Sequence, residues 1–370
     1  MGKIRELDGL RGLLAVWVVV VHLLPTAGFS ARDFGPFAPL FGEHLRVEIF
    51  SILSGFVIFL MIRRRQEGYL AFLAGRLLRL YPAYLLAFGL SVLLAPMMLE
   101  AVTSAPFGGA RMADRAVILQ NSLDQPGAHI LAHLTLLHGL VPQAWLPSAP
   151  YAFLGQAWNI STEFQFYLVA PVLFAGLTTG PLWRRAVAVA VCGAIWLGVR
   201  RFPNPASLAA YAPYFALGIV SFGLWRHDWG RARRWLTPLT VAAAAMSWAL
   251  AVDMASGIWL FVLGGMVLVR DQGRGGRGLS WLACPAMQGL GRLSYSLYLL
   301  HMLPMYLGMY LLNGQGLGQG AYLALLALFT FALGLPMAWL SSVYVEQGAH
   351  RLTVQRPRSD ADISAPRQAL

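Results

Sequence analysis

Charge is what this chain has least of. Of its 370 residues only 12% are Asp, Glu, Lys or Arg, against 58% hydrophobic residues, and the mean hydropathy is +0.60. Soluble domains carry about 25% charge, so a surface solvated all round is excluded. The apolar residues come in continuous runs of around 20, without strand-like alternation. That excludes a transmembrane β-barrel and fits α-helices crossing a hydrocarbon core of about 30 Å. Cysteine is scarce too. Cys192 and Cys284 lie in or near apolar runs with no C-x-x-C spacing, which excludes a disulfide framework. No A-x-A-like cleavage site follows the first apolar run, so the basic residues ahead of it (Lys3, Arg5, Arg11) do not make it a signal peptide. The net charge of +12 comes from basic residues in loops between apolar runs, which predicts contact with membrane lipids and no nucleic-acid partner.

The runs predict an all-α polytopic membrane protein with ten spans, near 12–29, 47–62, 80–99, 158–178, 186–200, 208–225, 236–252, 257–269, 288–312 and 321–345. Orientation follows from basic residues. With the N-terminus in the cytosol, only Arg32, Arg46, Arg111, Arg115, Arg200 and Arg201 of the 28 fall outside, as the positive-inside rule requires. Both termini are then cytosolic. Residues 1–351 form the membrane domain, and 352–370 are expected to be a disordered cytosolic tail. The long outer segment, roughly 100–157, contains a short apolar stretch from His129 to Val141 that is expected to be interfacial or re-entrant. No internal repeat and no appended soluble domain is seen, so the chemistry is expected within the bundle.

Ionisable residues inside spans are costly and mark functional candidates. Arg11 and His22 are eleven residues apart, almost three helical turns, so they share a face about 16 Å apart along the axis. Asp8 precedes Arg11 by three positions and can pair with it. This suits an anion-binding guanidinium at the inner mouth and a buried imidazole further in; a packing histidine is the plainer alternative. Arg63, Arg64 and Arg65 read as a topology anchor. Arg76 and Arg79, at i,i+3, place two guanidinium forks on one face and suit phosphates, or else lipid headgroups. Glu163, Glu48, His301 and Ser294 are expected to line one polar chamber opening outward. His129 and His133 have the i,i+4 spacing of a metal motif, but no Glu follows His129 and no carboxylate lies nearby, so packing is expected and no metal site.

Together these residues resemble the acyltransferase-3 family of membrane O-acyltransferases. The block Arg5–Gly12 with His22 is similar to its Arg-x10-His signature, and Phe50–Phe56 to its second-helix block. Arg76–Pro82 is similar to its R-x-x-R segment, Trp158–Tyr167 to W-x-x-S-x-E-x-x-F-Y, and Gly291–His301 to its ninth-helix block. Five blocks in order, over residues 4–351, make the resemblance specific. Ser51 stands where Phe is usual, and Gln347 follows Glu346 where Pro is common.

The resemblance implies a bacterial inner-membrane, multi-pass enzyme. Its donor would be cytosolic acyl-CoA, acetyl-CoA by expectation, used as a substrate with no permanently bound cofactor. The acceptor would be a hydroxyl of a cell-envelope saccharide or glycolipid. Arg11, Arg76 and Arg79 would hold the CoA phosphates, and His22 would act as base with Asp8 and Glu163 in the catalytic set. Glu48, Ser54, Trp158, Ser294, Tyr298 and His301 would bind the acceptor. Two alternatives stay open: acylation of a small glycoside such as a macrolide, and a solute transporter or flippase, which midplane polar groups would also suit.

Overall fold

The computed structural model describes residues 4–42, 44–199, 204–226, 236–250, 253–272 and 279–348. The expected tail 352–370, and Arg200 and Arg201 of the outer charge count, lie outside the described residues. These residues fold into thirteen α-helices joined by short 3₁₀ turns, with no strand among them. The helices are α1 (Arg5–Leu23), α2 (Leu45–Arg65), α3 (Tyr69–Thr103), α4 (Ala110–Asp124), α5 (Pro126–Leu134), α6 (Trp158–Thr178) and α7 (Leu182–Val199). They continue with α8 (Leu208–Arg226), α9 (Leu236–Leu250), α10 (Met254–Gln272), α11 (Pro285–Leu300), α12 (Met302–Leu312) and α13 (Gln319–Leu340).

Local chemistry sets several of these ends. Glu6 and Asp8 occupy the first turn of α1, where the helix dipole favours anions. Arg63, Arg64 and Arg65 complement the last turn of α2, which stops at Gln66 in the left-handed region, φ 49°. Six helical stretches are long and apolar enough to cross a membrane: Arg5–Ala27, Ala31–Arg65, Tyr69–Thr103, Gly155–Thr178, Leu208–Arg226 and Gln319–Glu346. The protein is therefore a multi-pass membrane protein. The other four expected spans fall on α7, α9, α10 and α11–α12, which are helical but shorter or interrupted by arginine.

One expected span is interrupted. Over 288–312 the chain stays helical, but α11 and α12 are divided at His301, where the Leu300 carbonyl loses its partner. Pro304 is the reason: it has no N–H to give the Leu300 carbonyl, and its ring crowds that carbonyl.

Two helix pairs set the core, and glycine permits both. A side chain at Gly12 would meet the Gly291 backbone nitrogen at 2.6 Å, so α1 and α11 touch backbone to backbone. Gly55 and Gly218 do the same for α2 and α8, against Phe215 O at 2.3 Å and Ile52 O at 2.0 Å. Small residues allow this close approach, where dispersion and not water expulsion holds helices together. The α1–α11 pair is parallel. Gly12 faces Gly291 and His22 faces His301, a constant offset of 279 positions.

The segment from 104 to 157 folds over one end of the bundle as α4, α5 and a chain of tight turns. Its histidines are packing groups. His133 and His138 stack at 3.9 Å between centroids, with Phe88 on the far side of His133 at 4.9 Å. Each ring faces a carbonyl through Nε2, that of Ala149 at 3.0 Å and Ala157 at 3.2 Å respectively. Burial pushes the His138 imidazole down to about 4, so it packs as the neutral ring.

Candidate active site

The parallel register of α1 and α11 carries polar residues of both helices to the same two depths. At the Arg11 end a cavity of about 330 Å³ is lined by Asp8, Arg11, Arg76, Arg79, Glu163 and Arg292, among others. At the His22 end a cavity of about 630 Å³ is lined by His22, His44, Arg46, Arg111, Arg115 and Trp158, among others. Among the described residues, Tyr298 alone lines both.

In the arginine cavity, α3 begins at Tyr69, so Arg76 and Arg79 sit on its first turns with the expected shared face. Their situations differ. Arg79 is ion-paired to Glu346 and lies over the Tyr295 ring, 4.7 Å from its centroid. Glu346 in turn accepts from the Ser296 hydroxyl. Arg76 keeps a buried Nε that makes no hydrogen bond, leaving part of its fork for an incoming anion. Glu163 accepts hydrogen bonds from Tyr167 and, at 3.4 Å, from Ser54.

At the other end, His22 Nδ1 and His301 Nε2 are 2.9 Å apart, with ring centroids at 5.1 Å. The tautomers follow from the outer partners. His301 is fully buried, and its Nδ1 faces the carbonyls of Tyr298 at 2.8 Å and Leu297 at 3.2 Å. Carbonyls only accept, so His301 carries its proton on Nδ1 and presents a lone pair at Nε2. His22 must then donate from Nδ1, which leaves the lone pair of its Nε2 for the cavity that His22 lines. A chain of two imidazoles thus fixes one nitrogen as a base. Arg115 donates to the His22 carbonyl at 3.4 Å, and Arg46 donates to Leu40 O at 3.2 Å and lies 5.7 Å from the Trp17 ring centroid. These arginines give the His22 end a cationic wall.

Sequence reasoning grouped the residues differently. Glu163, Glu48, Ser294 and His301 do not form one chamber. Glu163 and Ser294 line the arginine cavity, because α6 and α11 turn those faces toward α3. Asp8 and Glu163, expected beside His22 in catalysis, are both at the arginine end. Glu48 bonds Tyr214 of α8 and lines neither cavity. Ser54 belongs to the arginine end, Trp158 to the His22 end. Participants missed as site residues are Glu346 as the partner of Arg79, and Arg46, Arg111 and Arg115 near His22. The i,i+4 spacing of the last two on α4 was a usable signal, but it points to a site only once the Arg115 side chain is seen to reach the His22 carbonyl.

The fold and these cavities define a helical membrane protein with two polar cavities, at the Arg11 and His22 ends of α1, that share Tyr298 in their linings. The chain belongs to the family described as Acyltransferase domain, whose model matches residues 4–342, and it is a membrane acyltransferase. It is 29% identical, over 93% of this chain and 82% of the relative, to a Komagataeibacter xylinus protein named as the membrane-bound transacylase BcsY. It is 23% identical to the acyltransferase MdmB of Streptomyces mycarofaciens, over 70% of this chain and 59% of that protein. No solved structure matches it. The family match favours an enzyme over the transporter alternative.

Proposed function

We propose that this enzyme takes an acyl group, acetyl by preference, from cytosolic acyl-CoA and places it on a sugar hydroxyl of a cell-envelope polysaccharide or glycolipid. The observation that carries the reading is the pair of cavities, with guanidinium groups lining one and an oriented imidazole lining the other. The parallel α1–α11 pair supports an odd number of crossings between them, such as the seven of the expected topology. That favours ten spans, both termini in the cytosol and the arginine mouth facing the cytosol of a bacterial inner membrane.

In this reading Arg11 and Arg76 bind the CoA phosphates, with Arg79 held in place by Glu346 and Tyr295. The narrow pantetheine arm enters the route and brings the thioester past Tyr298. The acceptor hydroxyl then gives its proton to His22 Nε2 as its oxygen bonds to the carbonyl carbon. The C–S bond breaks, the thiolate leaves, and the proton on His22 returns to it. His301 accepts the Nδ1–H of His22 throughout, which stabilises the imidazolium. Arg115 and Arg46 lie near enough to favour negative charge on the tetrahedral oxygen.

His22→Ala should lower transfer by about 10²–10⁴-fold, the usual weight of a general base, while the protein still inserts. Mass spectrometry of envelope glycans and secreted metabolites, with wild type, variant and no enzyme, reads this and also identifies the acceptor. Near-normal acylation by the variant would remove His22 from the mechanism.

A further inference from the structure

The two cavities share one lining side chain, that of Tyr298. Tyr298 is 5% exposed and has a cavity on either side. Its hydroxyl donates to the Gln156 carbonyl at 2.7 Å and bonds the Asn159 side chain. The ring meets Phe50 edge-on, with centroids at 6.3 Å. The phenol is therefore latched across the route at the junction of α6 with the turn before it.

The latch can open without dismantling the base. The His301 hydrogen bonds go to the backbone carbonyls of Tyr298 and Leu297, and the Tyr298 ring makes only a tilted contact with it at 6.3 Å between centroids, so rotation about the Tyr298 side-chain bonds keeps the hydrogen bonds of the imidazole pair. An acceptor group also waits at the passage. Gln156 is 2% exposed and lines the His22 cavity, and its Nε2 donates to Leu299 O at 2.6 Å. Its Oε1 is buried with no hydrogen-bond partner. A buried acceptor left bare suits an N–H arriving along the route, and the pantetheine arm carries two amide N–H groups.

We propose that Tyr298, latched to Gln156, is the gate of this enzyme. Closed, it keeps water of the His22 cavity from a donor bound at the arginines. Opened by the entering arm, it passes the thioester to His22 while Gln156 Oε1 takes an amide hydrogen bond. This rests on the acyl-CoA reading above. Without the gate, water reaches the thioester, its oxygen bonds to the carbonyl carbon, the C–S bond breaks, and free CoA thiol and a carboxylic acid form.

Two measurements on the full-length protein test this. The first is CoA thiol release from acetyl-CoA in the absence of acceptor. Tyr298→Ala should raise it about tenfold or more with acetyl-CoA affinity within twofold of wild type, and Tyr298→Phe, which keeps the ring and loses the latch, should fall between. Release at the wild-type level in Tyr298→Ala overturns the gate, and a parallel loss of affinity makes Tyr298 a donor-binding residue instead. The second does not involve acyl-CoA. In a background with Cys192→Ser and Cys284→Ser, Val57→Cys places a thiol in the arginine cavity. A membrane-impermeant thiol reagent added at the His22 face of sealed vesicles should label it only when Tyr298→Ala is also present. Labelling independent of Tyr298 overturns the gate. Labelling that depends on Tyr298, with no thiol release from any variant, keeps the gate and sinks the acyl-CoA reading.

Discussion

At the scale of the residue, the site turns on which nitrogen of His22 is left unprotonated. The Tyr298 carbonyl determines the His301 tautomer, and His301 determines that of His22. His301 is thus a positioning residue, and truncating it should cost turnover without costing binding. His301→Ala is expected to lower kcat by about 10–100-fold, the usual weight of an orienting partner and below that of the base itself, with acyl-CoA affinity unchanged; single-turnover kinetics beside calorimetry separates the two. The arginines divide in the same way. Arg76 retains an unbonded Nε whereas Arg79 is engaged by Glu346. Arg76→Ala should therefore weaken acyl-CoA binding about 10–100-fold, equivalent to roughly 1.5–3 kcal/mol for a hydrogen bond to a charged group, and more than Arg79→Ala does. Equal losses by calorimetry would place both guanidiniums on the phosphates. His22, Arg11, Arg76 and Arg79 were legible from spacing along single helices. Glu346 was not, because its partner is 267 positions away and nothing local marks the pairing.

At the scale of the element, the α1–α11 contact carries the geometry of both cavities. Gly12 and Gly291 leave no room for a side chain, and the register they allow brings His301 to His22. Gly12→Leu would push the pair apart. Overpacking of this kind costs about 1–3 kcal/mol, so the variant should unfold at lower temperature in detergent and lose activity through a displaced His301. Gly89→Ala, with open space around Gly89, should do neither. Equal thermal stability of Gly12→Leu and wild type would show that this contact does not hold the bundle. The break at His301 belongs to this scale too. Pro304 was visible in the sequence as an apolar-run proline, yet its consequence, an imidazole at the kink facing α1, depends on where α1 lies.

At the scale of the molecule, the proposed function makes the reaction vectorial, with the donor taken from one side of the membrane and the acceptor from the other. In sealed vesicles, an impermeant acyl-CoA should support transfer only from the face bearing the Arg76 end. An acceptor should be used only from the face bearing His22. Transfer with both substrates on the arginine side would favour a small cytosolic acceptor instead. The sequence by itself determined the class and helix positions, since a run of apolar residues pays no penalty in hydrocarbon and a charged one does. It also determined the residue types of the chemistry. Only the tertiary structure decided which polar groups share a cavity, why Glu163 stands with the arginines and Glu48 with Tyr214, and that one phenol divides the route. The physical reason is that periodicity gives the face a residue occupies on its own helix, whereas the partner of that face is chosen by backbone contacts at Gly12, Gly55, Gly218 and Gly291, hundreds of positions apart in some pairs.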